Sequence, residues 1–169
     1  MMMKKVMLGI SLLLAFLLAG MGIHPVSANE GNPSYCVLIE TDYGFANPDA
    51  VMGKLESKVQ GDLVNPDSTN VVAQEVMNGR QLDELDYDEL QTIGAKLGVD
   101  YVLLLEVYNN QEYDPSIHEV DCVLSVITVG SNVQKTQTSN ILVPTGDNMQ
   151  DENEVGVMQF LDEMEPIAW

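Results

Sequence analysis

The chain has 169 residues with 7 cationic and 26 acidic side chains, a formal charge of −19. That balance speaks against nucleic acid, whose binding depends on Lys and Arg neutralising phosphates, and against charge-driven adhesion to anionic lipid. Its plainest physical meaning is a self-repelling surface that stays in solution.

Lys4 and Lys5 precede an uncharged apolar stretch, VMLGISLLLAFLLAGMGI (6–23), which His24-Pro25 interrupts. Val26-Ser27-Ala28 then places small residues at the −3 and −1 positions before Asn29. The pattern predicts a signal peptide over 1–28 and a secreted, periplasmic or otherwise extracytoplasmic product. The competing reading leaves the segment uncleaved as a membrane anchor, the one membrane contact predicted. LLAGM (17–21) is like a lipobox with Met21 where the acylated Cys would stand, so no lipid anchor is predicted. Cleavage would leave 141 residues, enough for one core, and five cations (Lys54, Lys58, Arg80, Lys96 and Lys135) against 26 acids, a balance of −21.

NEGNPS (29–34) is predicted to be a disordered lead-in, and 35–169 a single domain. YCVLIE (35–40) predicts a short buried strand. Asn47-Pro48 with Asp49 marks a helix start, and Val51, Met52, Leu55 and Val59 follow at helical spacing up to Gly61. DLVNP (62–66) predicts a brief strand before a turn at Pro66. Ser68 to Asn70 are expected to cap a helix over VVAQEVMN, stopped by Gly79. Asp86 and Glu89 form a capping box, Leu90, Ile93 and Leu97 recur on one face, and Gly98 closes that helix.

The run Tyr101–Val107 follows with almost no loop and no polar alternation before Glu106, as a central strand covered on both faces requires. YNNQEYDPSIHE (108–119) is expected to be a polar connection. VDCVLSVITVG (120–130), the turn GSN (130–132) and NVQKTQTSNILV (132–143) predict an antiparallel hairpin whose second strand lies near an edge. A last helix is expected over 147–165, with Val155, Met158, Leu161 and Met164 on its buried face. The fold class is therefore α/β (α+β), a single mixed β-sheet with flanking helices behind a signal peptide.

Motifs for chemistry are sparse. His118 is the one histidine after residue 28, and no C-x-x-C is present, so no zinc site is predicted. His118 and Cys122 would share a strand face as a conceivable nucleophile pair, but the plain reading is a loop histidine and a core cysteine. Export permits a Cys36–Cys122 disulfide, while both residues also suit free, buried positions. Neither phosphate-loop motif occurs. DELDYDE (83–89) and DNMQDENE (147–154) lack the calcium-loop ladder. Trp169, the lone tryptophan, reads as a plug packed back on the domain or as a docking tail. No catalytic residue, metal ligand, cofactor or small molecule is predicted.

DELQTIGAKLGVDYVLLLEVYNNQ and VDCVLSVITVGSNVQKTQTSNIL resemble the core of a bacterial envelope α/β domain. That group includes the curli secretion-channel lipoprotein, the penicillin-binding-protein activator lipoproteins and the N-terminal domain of the Tol periplasmic propeller protein. In it a helix ending in Leu-Gly runs straight into an Asp-Tyr-Val-Leu strand, as here over 97–104. The resemblance covers residues 35–143. The turn VGSNVQK (129–135) departs from the group's Asp-x-x-Thr-Gly pattern. The motif is structural, so no functional residue is carried over. The resemblance implies a non-catalytic interaction or assembly domain of the bacterial cell envelope, with an envelope protein as partner. The alternatives are a small carboxylate-dependent hydrolase of wall polymer and an acidic calcium-binding envelope protein.

Overall fold

The computed structural model describes residues 31–114 and 116–169; the predicted signal peptide and the first two residues of the lead-in lie outside them. Strand β1 (Ser34–Thr41) opens one residue before its expected start. Helix α1 (Pro48–Lys58) has Asn47 as N-cap, its side chain accepting from the Ala50 N–H, and Pro48 in the first turn. It stops at Val59, which is extended and bridges Ile167, so the helix ends before Gly61.

Strand β2 (Asp62–Leu63) is as brief as expected. Helix α2 (Pro66–Met77) then starts earlier than the sequence suggests. Asn65 caps it by accepting from the Asp67 N–H, and Pro66 initiates the helix instead of turning the chain. A prolyl φ suits a first helical turn as well as a β-turn, and the asparagine before it decides. A 3₁₀ turn (Leu82–Glu84) leads to α3 (Tyr87–Leu97). The Asp86–Glu89 capping box is formed, and Gly98 takes the left-handed conformation that ends the helix.

Strands β3 (Tyr101–Asp114), β4 (Ile117–Thr128) and β5 (Gln134–Pro144) follow, then helix α4 (Met149–Glu163). The five strands form one sheet in the order β2-β1-β3-β4-β5. β2, β1 and β3 are parallel, while β4 and β5 are antiparallel to their neighbours. The expected polar connection over 108–119 is instead mostly strand: Tyr108, Asn109 and Asn110 pair with Asp121, Val120 and Glu119. Polar residues extend a strand there because neighbouring backbone groups satisfy its hydrogen bonds.

β3 is central. Leu103, Leu105 and Val107 join a core under α1 and α4, while Val102 joins a second core under α2 and α3. The chain steps from β1 outward to β2, then back past β1 to β3. Crossovers of one hand then fall on opposite faces of the sheet. α4 presents Val157, Phe160, Leu161 and Met164 to the core, and Val155, expected on that face, is 52 % exposed. The turning point is Gly156, where an added Cβ would lie 2.6 Å from Val120 Cβ.

Candidate interaction surface

α2 and α3 cover β1 and β3 but leave β5 bare on their side. Thr136, Thr138, Asn140 and Leu142 are exposed there, Leu142 by 64 %. Glu119 and Asp121 lie on the same face one strand in, opposite Leu142 and Asn140. Asn140 Nδ2 donates to Glu119, and Asn110 Nδ2 donates to Asp121 over 3.3 Å. Burial and the adjacent Glu119 push the Asp121 carboxyl above its ordinary range. Among the described residues β5 pairs with β4 along one side only, and its other edge carries main-chain donors and acceptors with no strand partner among them.

Beside the first half of β5, on the α1/α4 side, a cavity of about 330 Å³ opens between Val126, Val133, Lys135, Ile167 and Trp169. Trp169 stacks on Tyr101 with centroids 3.7 Å apart, and its indole N–H donates to the Gln60 carbonyl. The indole is therefore packed back on the domain, and residues 165–169 form one wall of this cavity. Ile167 is tied down by backbone bonds to Lys58 and Gln60 of 2.8 and 3.2 Å.

The carboxyl ends of parallel strands at a change of direction are where α/β sheets place ligands. Here that position lies between β1 and β3, and Glu40 pairs with Glu106 across it. Burial first, then Asp83 and Glu106, raise the Glu40 carboxyl; burial and Asp83 raise Glu106. A second cavity of about 270 Å³ is lined by Glu40, Gln74, Met77 and Arg80, but Glu106 does not reach it. Arg80 is bound through two hydrogen bonds to Glu89. Asp100, immediately before β3, ties β1 to β3 by accepting from the Ser34 N–H and hydroxyl at 2.8 and 2.9 Å.

His118 is not in a loop. It sits buried in β4, with Nδ1 2.6 Å from Glu152 Oε2. Glu152 also accepts from Asn109 Nδ2 at 2.8 Å and from the Gly146 N–H at 2.8 Å. Burial alone would raise its carboxyl, but those three hydrogen bonds outweigh it and the net shift is downward. Asn153, fully buried beside it, donates to Thr41 Oγ1 and Asp42 Oδ1, both at 3.0 Å. This network pins the start of α4 to β1, β3 and β4. Sequence reasoning missed it because its members are far apart in the chain, and an Asn and a Glu near a helix start read as solvent-facing.

His118 and Cys122 share one face of β4, but the imidazole is turned to Glu152 and the thiol is buried. Cys36 belongs to the opposite core and both thiols are free, so the optional disulfide is not formed. Burial pushes each thiol up to about 12, far from the reactive thiolate. The acid runs are used for capping: Asp86 and Glu89 on α3, and Asn148 and Asp151 on α4. Among the described residues no group of three or more His, Cys, Asp or Glu is placed to hold a metal ion. No helix among them is long and apolar enough to cross a membrane.

No family model matches the sequence, and no curated protein matches it. Solved structures similar to the chain include the C-terminal domain of LpoB from Escherichia coli, 14% identical over 78% of this chain and 94% of that one, with a TM-score of 0.44. Lipoprotein GNA1162 from Neisseria meningitidis is 12% identical over 78% of this chain and 94% of that one, with a TM-score of 0.47. Dodecameric PelC from Paraburkholderia phytofirmans is 14% identical over 81% of this chain and 90% of that one, with a TM-score of 0.38. All three likenesses are of low identity, and no role is carried from them to this chain.

Proposed function

We propose that this is a non-catalytic domain of the bacterial cell envelope, working outside the cytoplasm, that binds a protein partner along the outer edge of β5. The observation that carries the reading is that edge: eleven residues, Gln134–Pro144, paired on one side only among the described residues. Soluble proteins blunt long edges with charge, bulges or cover. β5 has a single charged residue, Lys135, in a chain rich in acids. Main-chain pairing of an extended segment onto such an edge is a general mode of peptide recognition. The apolar segment before Pro25 supports the extracytoplasmic address.

One observation favours a second reading, a carboxylate-dependent hydrolase of wall polymer: the Glu40–Glu106 pair with both carboxyls raised. Against it, the two acids stand side by side on one face and only Glu40 lines the cavity. Glycosidases need their two acids on either side of a bound sugar.

A photo-crosslinking residue placed at Thr138, in native envelope extract, is expected to give a discrete high-mass adduct. The same residue at Val155, exposed on α4, is expected to give none. Adducts at both positions, or only at Val155, would overturn the edge reading. Release of soluble fragments from purified wall polymer, lost in Glu40→Gln, would favour the hydrolase.

A further inference from the structure

We infer that the segment pairing with β5 is an extended stretch in which basic residues alternate with apolar ones, an inference that rests on the edge reading above. An added strand sends successive side chains to opposite faces of the sheet. The two faces beside β5 differ in chemistry. On the α1/α4 side the added side chains meet the cavity of about 330 Å³, where Val126, Val133, Ile167 and Trp169 stand beside Lys135 and Glu165. On the other side they meet Thr136, Thr138 and Asn140, with Glu119 and Asp121 one strand further in.

Those two carboxylates bond to asparagine amides, and neither forms an ion pair with a cation among the described residues. Two strand spacings separate an added residue from β4, roughly 9.6 Å. The stem of a Lys or Arg and that of a Glu together span that gap. Such a side chain lies over Asn140 and brings its charge to the acids while its methylenes cover Leu142. The field of the whole chain favours the same sign: 26 acids attract a basic segment over long range. A second copy of this chain fits worse. It carries the same excess of acids, and β5 set against β5 would bring two copies of that charge together.

The test uses the full chain and fluorescently labelled ten-residue peptides at physiological salt. The first peptide alternates Lys and Val, the second alternates Glu and Val, and the third is the Lys-Val peptide N-methylated at alternate residues. N-methylation keeps side chains and charge but removes the main-chain donors of one strand edge. The Lys-Val peptide is expected to bind at least ten-fold more tightly than the N-methylated form, and the Glu-Val peptide not at all. A Glu119→Gln/Asp121→Asn double variant is expected to lose several-fold affinity for the Lys-Val peptide and to flatten its salt dependence. Equal binding of the plain and N-methylated peptides, or tighter binding of the Glu-Val peptide, overturns the inference, as does absence of binding by the Lys-Val peptide. The Thr138 crosslink separates the two levels. If it persists while the Lys-Val peptide fails, the edge is right and the occupant's chemistry is wrong. If both fail, both readings fall.

Discussion

Two glutamates near the carboxyl ends of the parallel strands shift in opposite directions, and the reason is their neighbours. Glu40 faces burial and two acids, so its folded carboxyl titrates above the unfolded range. The folded state is then favoured at low pH, and that advantage is lost as pH rises through the folded value. Glu152 accepts three hydrogen bonds, so its folded carboxyl titrates below the unfolded range. Its contribution is present at neutral pH and lost as pH falls through the folded value. Glu40→Gln is expected to raise the melting temperature at pH 7 by about 2 °C, since solvent screens the partly buried group to roughly 0.5 kcal/mol, and to change nothing near pH 3. Glu152→Gln is expected to lower it at pH 7 by about 6–10 °C, equivalent to roughly 2 kcal/mol, because a buried amide N–H₂ then faces the Gly146 N–H or the Asn109 amide. Thermal melts of both variants across pH check the signs, and a Glu40→Gln variant less stable than the parent at pH 7 would contradict the account.

The sheet core was legible at the level of elements because its signals are local. The capping box of α3, Gly98, and the apolar run beginning at Tyr101 lie within about twenty residues of one another, and each has one physical meaning. α4 was legible as a helix, with Leu161 and Met164 in the core and Met158 packed against it as expected, but Val155 faces outward. Met149, Val155, Val157, Met158, Phe160 and Leu161 offer two rival apolar stripes. The stripe that won contains Glu152, Asn153 and Gly156, which periodicity counts as solvent-facing. A glycine wins its place because α4 approaches β4 too closely for any side chain there. Gly156→Ala is expected to cost about 1–3 kcal/mol by overpacking against Val120, measured by denaturant unfolding, and Val120→Ala in the same chain is expected to recover part of it. A neutral Gly156→Ala would mean that α4 is free to slide on the sheet. The interaction surface was less legible than the fold. That the 134–144 segment lies near an edge follows from its polarity, but which acids stand beside it follows from the β4–β5 register alone.

For the molecule as a whole, charge and thiols are the global properties. Acids outnumber cations so heavily that self-repulsion opposes compaction. Raising ionic strength from about 0.01 M to about 0.15 M shortens the screening length from roughly 30 Å to roughly 8 Å. The melting temperature is therefore expected to rise by a few degrees over that range, read by calorimetry, and a fall would mean that attractive pairs dominate instead. Cys36 and Cys122 occupy opposite sides of a sheet that neither can cross while folded. Ambient oxidant and reductant thus find no bond to make or break in the native chain. Maturation needs no oxidase, and an alkylating reagent gains entry only during those moments when the layers part. The two sulfurs keep time for global opening, one for each half of the interior.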